Sequence, residues 1–183
     1  LLHENQLNDE QKDFIQRFYL EKLNGSTNPI WLSQIKEIGA TADDGIFLAI
    51  KRMEWIEGKK KPKIDYALIA MPDKEIGRFV RLPKSDEKEN IMFLDDVIRY
   101  CLPMIFVGSG NCTYEAYSFK FTKDAEMEMD NDLGSGVMQK VARGVKSRKS
   151  GEPIRVIYDD SMPKDLLKHI MSRLNIDTLD TIV

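Results

Sequence analysis

The sequence is poor in the residues that most metal sites and covalent active sites need. Its 183 residues include two histidines, His3 and His169, and two cysteines, Cys101 and Cys112. Neither histidine belongs to an HExxH motif and the cysteines lack a metal-binding spacing, so we predict no zinc site and no other metal ligands. Two cysteines are also too few for a disulfide framework, which favours a reducing compartment such as the cytoplasm.

The chain also lacks long apolar runs and an excess of positive charge. No hydrophobic segment approaches the ~20 residues that cross a bilayer, so we predict no membrane insertion. The net charge is −3, which argues against the global basic field that nonspecific nucleic-acid binding needs. A polyanion must therefore bind to a local cluster of basic side chains.

The N-terminal residues do not have the pattern of a signal peptide. The first four residues, Leu-Leu-His-Glu, include no initiator Met, no basic region and no extended apolar core. We therefore expect the chain to be a fragment of a longer protein, with His3 in a poorly ordered terminus.

Alternating apolar residues predict the strands. Tyr117, Phe119 and Phe121 share one face of a central strand, with Ser118, Lys120 and Thr122 on the other. Residues 45–55 and 64–71 predict a β-hairpin with a basic connector at 57–63. A third strand at 77–83 is expected to end at Pro83 before a polar loop at 84–90, and a further strand is expected at 154–158.

Helical spacing and caps predict four helices. Asn8 and Gln11 form a capping box for the first helix, which ends at Gly25. Asp95 is the expected N-cap of the second, where Cys101 lies on the apolar stripe and Pro103 must kink or end the helix. The third, within 133–149, is basic in its later half and ends at Gly151. Ser161 and Pro163 open the last one, which Asn175 ends. The predicted fold class is α/β of the α+β type, with one mixed sheet and helices packed against it.

The charged residues leave two sites open. Asp124, Glu126, Glu128 and Asp130 alternate as Mg²⁺ ligands or a solvent-facing strand edge would, and we favour the edge. Arg78, Arg81, Lys120 and Lys123 lie on two predicted strands. They line one phosphate-binding groove if those strands pair, or they are edge residues that pair with acidic neighbours. His169 falls on the polar side of the last helix, where we predict an exposed histidine.

Four separated blocks resemble the head domain of bacterial polyphosphate kinases: RFVRLP at 78–83, LDDVIRYCLPMIF at 94–106, AYSFKFTKDAE at 116–126 and IRVIYDDSMP at 154–163. The resemblance covers residues 5–183. It implies an enzyme that reversibly transfers the terminal phosphate of ATP to polyphosphate through a phosphohistidine with Mg²⁺. The family's catalytic histidine and arginine motifs belong to domains that follow the head domain, and its adenine-contacting Asn precedes it.

The resemblance therefore implies no catalytic, cofactor-binding or metal-binding residue in this chain. It implies that residues 1–28 end an N-terminal helical domain and that residues 29–183 are the head domain, which contributes to dimer contacts and to the polyphosphate tunnel. Expected partners are the enzyme's other domains, a second or further copy, and inorganic polyphosphate. At position 123 relatives often have Arg, so Lys123 would contact phosphate as a point charge.

Two expectations remain beside this reading. The alternative function is a stand-alone interaction or regulatory domain, which binds an acidic partner through the basic hairpin connector and the basic helix. The expected location is the cytoplasm, with peripheral membrane association of the parent enzyme left open.

Overall fold

The computed structural model describes residues 1–35, 45–85, 87–108, 110–123 and 153–174. In chain order, these ranges contain helix α1 (Asp9–Phe18), which continues as a π-helix (Tyr19–Leu23), β1 (Ile30–Trp31), β2 (Gly45–Glu54), β3 (Lys63–Ala70), α2 (Asp73–Ile76), β4 (Phe79–Ser85), β5 (Lys88–Phe93), α3 (Leu94–Ile105), β6 (Cys112–Lys123), β7 (Pro153–Tyr158) and α4 (Lys164–Leu174). The predicted fold class is confirmed.

The strands form two sheets rather than the single mixed sheet expected. Five strands pair in the order β1-β3-β2-β6-β7, and β4 pairs with β5 in a separate two-stranded sheet. All of these pairings are antiparallel. The predicted hairpin is confirmed as β2 and β3, and β6 is an interior strand between β2 and β7.

The five-stranded sheet buries a different core on each face. On one face, Leu48 and Ile50 pack with residues of α1, α3 and the β4–β5 sheet. On the other, Phe119 and Phe121 pack with Leu166 and further residues of α4. The alternation predicted for β6 is confirmed, because successive strand residues point to opposite faces.

The start and end of α1 follow their sequence signals. Asn8 and Gln11 form the predicted capping box, and the Gln11 side chain also donates to the Pro83 carbonyl oxygen over 3.2 Å. Ile15 and Leu23 are fully buried in the core shared with α3. Gly25 follows with a φ of +99°, a left-handed conformation that glycine adopts without steric cost.

Helix α3 presents the predicted stripe to the core, but its start differs from the prediction. Val97, Ile98 and Cys101 are completely buried, and burial raises the pKa of the Cys101 thiol to about 12. A core thiol in this state is a poor nucleophile. The predicted N-cap at Asp95 is wrong: the helix begins at Leu94, so both Asp95 and Asp96 lie in its first turn. Pro103 lies inside the helix, which ends two residues later.

The predicted loop at 84–90 is wrong in most of its length. Strand β4 continues through Pro83 to Ser85, and β5 begins at Lys88. The register shifts between Leu82 and Ser85, an irregularity of the kind at which a strand tolerates proline. Glu87 takes a φ of +62° in the turn between them.

Several predictions lie outside the described residues. These are the acidic residues Asp124, Glu126, Glu128 and Asp130, the basic helix within 133–149, and the stops at Gly151 and Asn175. Among the helices that the structure describes, none is both long and apolar enough to cross a membrane.

Candidate functional site

A polar pocket of about 470 Å³ opens where four parts of the fold meet. These parts are the N-terminal segment, the first turns of α3, the middle of β6 and the connection from β7 to α4. The lining is mostly charged or hydrogen-bonding: His3, Glu4, Asn5, Gln6, Asp96, Arg99, Tyr117, Asp159 and Ser161, together with Ala116. We take this pocket as the candidate site because it brings together the ionisable side chains of His3, Glu4, Asp96, Arg99 and Asp159.

Arg99 connects α3 to the sheet beneath the pocket. Its Nε donates to the Ala116 carbonyl oxygen (3.1 Å), and its Nη2 donates to Ser118 Oγ (3.2 Å). Its Nη1 donates to Asp96 Oδ1 (2.6 Å) and lies 3.5 Å from Asp95 Oδ2. One guanidinium therefore orients two carboxylates of the first helical turn.

The single positive charge of Arg99 is shared by two carboxylates. The side chains of Asp95 and Asp96 are only 16% and 9% exposed, and they share this one guanidinium. Asp95 Oδ1 is buried and has no hydrogen-bond partner among the described residues. Since one cation faces two carboxylates, the site has an excess of negative charge. Burying such a charge without a partner costs free energy, so a further cation would be favourable here.

His3 lies over this cluster and is not in a poorly ordered end, which corrects the sequence prediction. Its Nδ1 is 3.0 Å from Asp96 Oδ2. On one side of it, the Leu2 N–H donates to the Ile91 carbonyl oxygen. On the other, the His3 backbone N–H donates to Gln6 Oε1, and the Gln6 backbone N–H donates to the His3 carbonyl oxygen. These bonds fix the segment against α3 and β5.

Asp159 adds a further carboxylate at the pocket wall. The hydroxyl and backbone N–H of Ser161 donate to its Oδ1 over 2.6 and 3.0 Å. The hydroxyl hydrogen bond holds the pKa of Asp159 below its usual value against the opposing effect of burial, with a smaller contribution from Arg99. Asp159 is therefore ionised at neutral pH.

The four predicted basic residues lie in different sheets. Arg78 and Arg81 are exposed just before and within β4, and Lys120 is exposed on β6, which Lys123 ends. Strand β4 pairs with β5, whereas β6 pairs with β2 and β7. Direct pairing of the two strands therefore does not form the groove considered from the sequence.

Comparison with known proteins identifies the family. Residues 10–183 match the family model of the polyphosphate kinase middle domain. The chain belongs to this family. It is 28% identical to a polyphosphate kinase of Vibrio parahaemolyticus, 31% to one of Salmonella typhimurium and 30% to one of Escherichia coli K12, in each case over 100% of this chain.

The chain spans about a quarter of the length of these relatives, since the matches cover 26% of each of them. A crystal structure of polyphosphate kinase from Porphyromonas gingivalis matches with a TM-score of 0.68 and 26% identity, over 96% of this chain and 23% of that one. The resemblance stated from the sequence is thereby confirmed.

The second histidine of this polyphosphate kinase middle domain lies in a different cluster, on α4. His169 is exposed, as predicted, with its Nδ1 2.8 Å from the Asp165 carbonyl oxygen and its ring 4.3 Å from that of Tyr66. Lys51 Nζ and Tyr66 Oη both donate to Asp165 Oδ2 over 2.8 Å. Burial alone would raise the pKa of Asp165, but the hydrogen bonds from Lys51 and Tyr66 outweigh it and lower that pKa.

Sequence reasoning missed the pocket because its groups are distant along the chain. His3 and Asp96 are 93 residues apart, and no spacing motif joins them. The usable signal was local: Arg99 follows Asp95 and Asp96 at the four- and three-residue spacings that put side chains on one helical face.

Proposed function

We propose that this chain is the non-catalytic head domain of a larger polyphosphate kinase, and that the phosphohistidine of the reaction lies outside it. The observation that carries the proposal is the family match over residues 10–183. In the proposal, the parent enzyme reversibly transfers the terminal phosphate of ATP to polyphosphate. The head domain then contributes to dimer contacts and to the wall of the polyphosphate tunnel.

The surroundings of both histidines support a catalytic centre elsewhere. Phosphoryl transfer through histidine needs an imidazole in line with the γ-phosphate and cations that neutralise its oxygens. His3 faces Asp96 in a cluster with excess negative charge, which opposes the approach of ATP. His169 is exposed on a helix with its ring tilted against that of Tyr66, and water is not excluded there.

The proposal assigns ATP and Mg²⁺ to other domains of the parent enzyme. Mg²⁺ prefers oxygen ligands in octahedral geometry. Among the described residues, one group of three side chains meets the distance requirement for a metal ion, and it includes the His3 imidazole. That donor set suits Mg²⁺ poorly. The proposed location is cytoplasmic.

Arg78, Arg81, Lys120 and Lys123 are retained as proposed contacts for polyphosphate. The exposed arginines favour this role, because a guanidinium binds phosphate oxygens in a bidentate manner. Their effect should be salt-sensitive, since exposed charges are screened over ~8 Å at physiological ionic strength.

The proposed domain boundary at residue 28 assigns α1 to the preceding helical domain, although α1 packs in the core of the head domain. Ile15 and Leu23 belong to the same core as Ile50 and Ile98. We therefore propose that residues 1–28 link the preceding helical domain to the head domain while contributing to the latter's core.

The test is phosphoenzyme formation with γ-labelled ATP and Mg²⁺. The full-length parent enzyme should take up acid-labile label, and so should its His3→Ala and His169→Ala variants. The 183-residue chain should take up none. Stoichiometric label on the chain, or its disappearance in the His169→Ala parent, would place the chemistry in this domain and refute the proposal.

A polyphosphate titration tests the contact residues separately. In the parent enzyme, Arg78→Ala and Arg81→Ala should weaken polyphosphate binding at low salt, and the exposed control variants Arg17→Ala and Lys74→Ala should not. Equal effects of the two sets would reject the assignment of the arginines.

A further inference from the structure

Three potential metal ligands converge at the mouth of the polar pocket. One ligand atom from each of His3, Glu4 and Asp96 lies within 4.8 Å of the others. The closest pair, His3 Nδ1 and Asp96 Oδ2, are 3.0 Å apart. Two donors that each bind one ion at about 2.1 Å lie roughly 3.0 Å apart in octahedral and roughly 3.4 Å apart in tetrahedral geometry. His3 and Asp96 are hydrogen-bonded at this distance, so an ion that displaced the shared proton would need only a small movement of the two side chains.

The main chain and Arg99 hold these ligands in place. Hydrogen bonds from Leu2 and Gln6 fix the backbone on both sides of His3. The Asp96 residue as a whole is 6% exposed, and its Oδ1 accepts a 2.6 Å hydrogen bond from Arg99 Nη1. A carboxylate whose free oxygen is held by a second group is the usual arrangement behind a metal ligand. Glu4 is exposed, so its side chain can close on an ion without disturbing the core.

The local charge also favours a cation. Asp95 and Asp96 share the single guanidinium of Arg99, and Asp159 adds a carboxylate to the lining of the same pocket. Glu4 adds another carboxylate to the lining. A bound divalent ion would neutralise this excess, which Arg99 alone does not.

We propose that His3, Glu4 and Asp96 bind a divalent transition-metal ion of the series from Mn²⁺ to Zn²⁺. An imidazole with two carboxylates suits these ions, whereas Mg²⁺ and Ca²⁺ prefer oxygen donors alone. The site is independent of phosphoryl transfer, and its metal would join the N-terminal segment to α3.

The test uses tag-free protein, so that no added histidine competes. Zn²⁺ is titrated calorimetrically into the 183-residue chain, and Co²⁺ is titrated with visible absorption as the readout of its coordination. We expect one ion per chain and a Co²⁺ spectrum that Zn²⁺ abolishes. His3→Ala should weaken Zn²⁺ affinity at least about tenfold. Loss of a group that only holds a ligand in place already costs about 10- to 100-fold, and His3 is itself a ligand in the proposal. Mg²⁺ should not compete at equal concentration.

Matched variants separate this site from adventitious binding. His169→Ala removes the other histidine, and Glu10→Gln alters an exposed glutamate on α1, so both should leave affinity unchanged. Glu4→Gln should weaken binding without lowering the thermal midpoint of the metal-free protein, because Glu4 is exposed. The proposal is overturned if binding is not saturable, if it survives His3→Ala, if His169→Ala abolishes it, or if Mg²⁺ displaces Zn²⁺.

Discussion

Two charged clusters hold helices to opposite faces of the five-stranded sheet, and they differ in how their charges are matched. On the face of α3, the single cation Arg99 serves the carboxylates of Asp95 and Asp96. On the face of α4, the single carboxylate of Asp165 accepts hydrogen bonds from Lys51 and Tyr66. In the first cluster one cation serves two carboxylates, which also have Ser118 Oγ 3.4 Å from Asp95 Oδ2 and His3 Nδ1 3.0 Å from Asp96 Oδ2. In the second cluster one cation serves one carboxylate.

This difference separates a candidate binding site from a structural connection. The charge of the Asp165 carboxylate is matched by the Lys51 ammonium, so the Asp165 cluster mainly fixes α4 on the sheet. Two carboxylates that share one cation keep a negative charge that attracts a further cation, and Asp96 lines an open pocket. The number of cations per carboxylate is thus more informative than the mere presence of an ion pair. Four substitutions test this comparison.

The largest effect is expected from Arg99→Ala. The change leaves the poorly exposed carboxylates of Asp95 and Asp96 without their cation, and removing one partner of a buried pair costs about 3–5 kcal/mol. Urea denaturation should show this loss in the free energy of unfolding. Arg81→Ala, at an exposed position, is the control and should change it by less than about 0.5 kcal/mol. Equal effects would mean that the cluster contributes nothing specific.

Asp165→Ala should have the next largest effect. It leaves the Lys51 ammonium, whose side chain is 14% exposed, without its carboxylate. The Asp165 side chain is itself 42% exposed, so solvent screening reduces the expected cost to about 1–2 kcal/mol. Thermal melts at neutral pH measure it. If the cost comes from the unpaired ammonium, the double variant Lys51→Met/Asp165→Ala should be more stable than Asp165→Ala alone.

Tyr66→Phe should cost about 1 kcal/mol, the typical worth of one hydrogen bond. It should also change the alkaline stability profile. Burial, together with the hydrogen bond to Asp165, raises the pKa of Tyr66 from the ordinary tyrosine value of 10.0 to about 12. The folded protein therefore keeps its phenolic proton longer than the unfolded chain does. The resulting stability is fully present below pH 10 and is lost between pH 10 and about 12.

Denaturation midpoints measured across that window compare wild type with Tyr66→Phe. The wild-type decline should be the steeper one. Parallel curves would contradict the assignment of the raised pKa to Tyr66.

The smallest effect is expected from Asp96→Asn, at less than about 1 kcal/mol. The amide oxygen can still accept the Arg99 hydrogen bond, and the change removes one of the excess negative charges. Urea denaturation measures the difference. A loss comparable to that of Arg99→Ala would mean that the charges of this cluster are matched after all, and the contrast with Asp165 would fail.

The local signals in the sequence were reliable where neighbouring residues decide the structure. The capping box at Asn8 and Gln11, the stop at Gly25 and the alternation along β6 were all predicted correctly. The errors lie where more distant contacts intervene. Pro83 was expected to end β4, but pairing with β5 and a register shift carry the strand past it. Asp95 was expected to cap α3, but the helix begins one residue earlier.

The site depended on such distant contacts even more strongly. The sequence by itself determined the family, the helix and strand faces, and the spacing that lets Arg99 bind Asp95 and Asp96, because each depends on residues close together in the chain or on a pattern along it. Only the tertiary structure decided that Leu2 bonds to Ile91 and thereby lays His3 over Asp96. It also decided that β4 and β6, with their basic residues, lie in separate sheets. Strand pairing joins segments remote in sequence, and its free energy comes from burial and hydrogen bonds that no local pattern specifies.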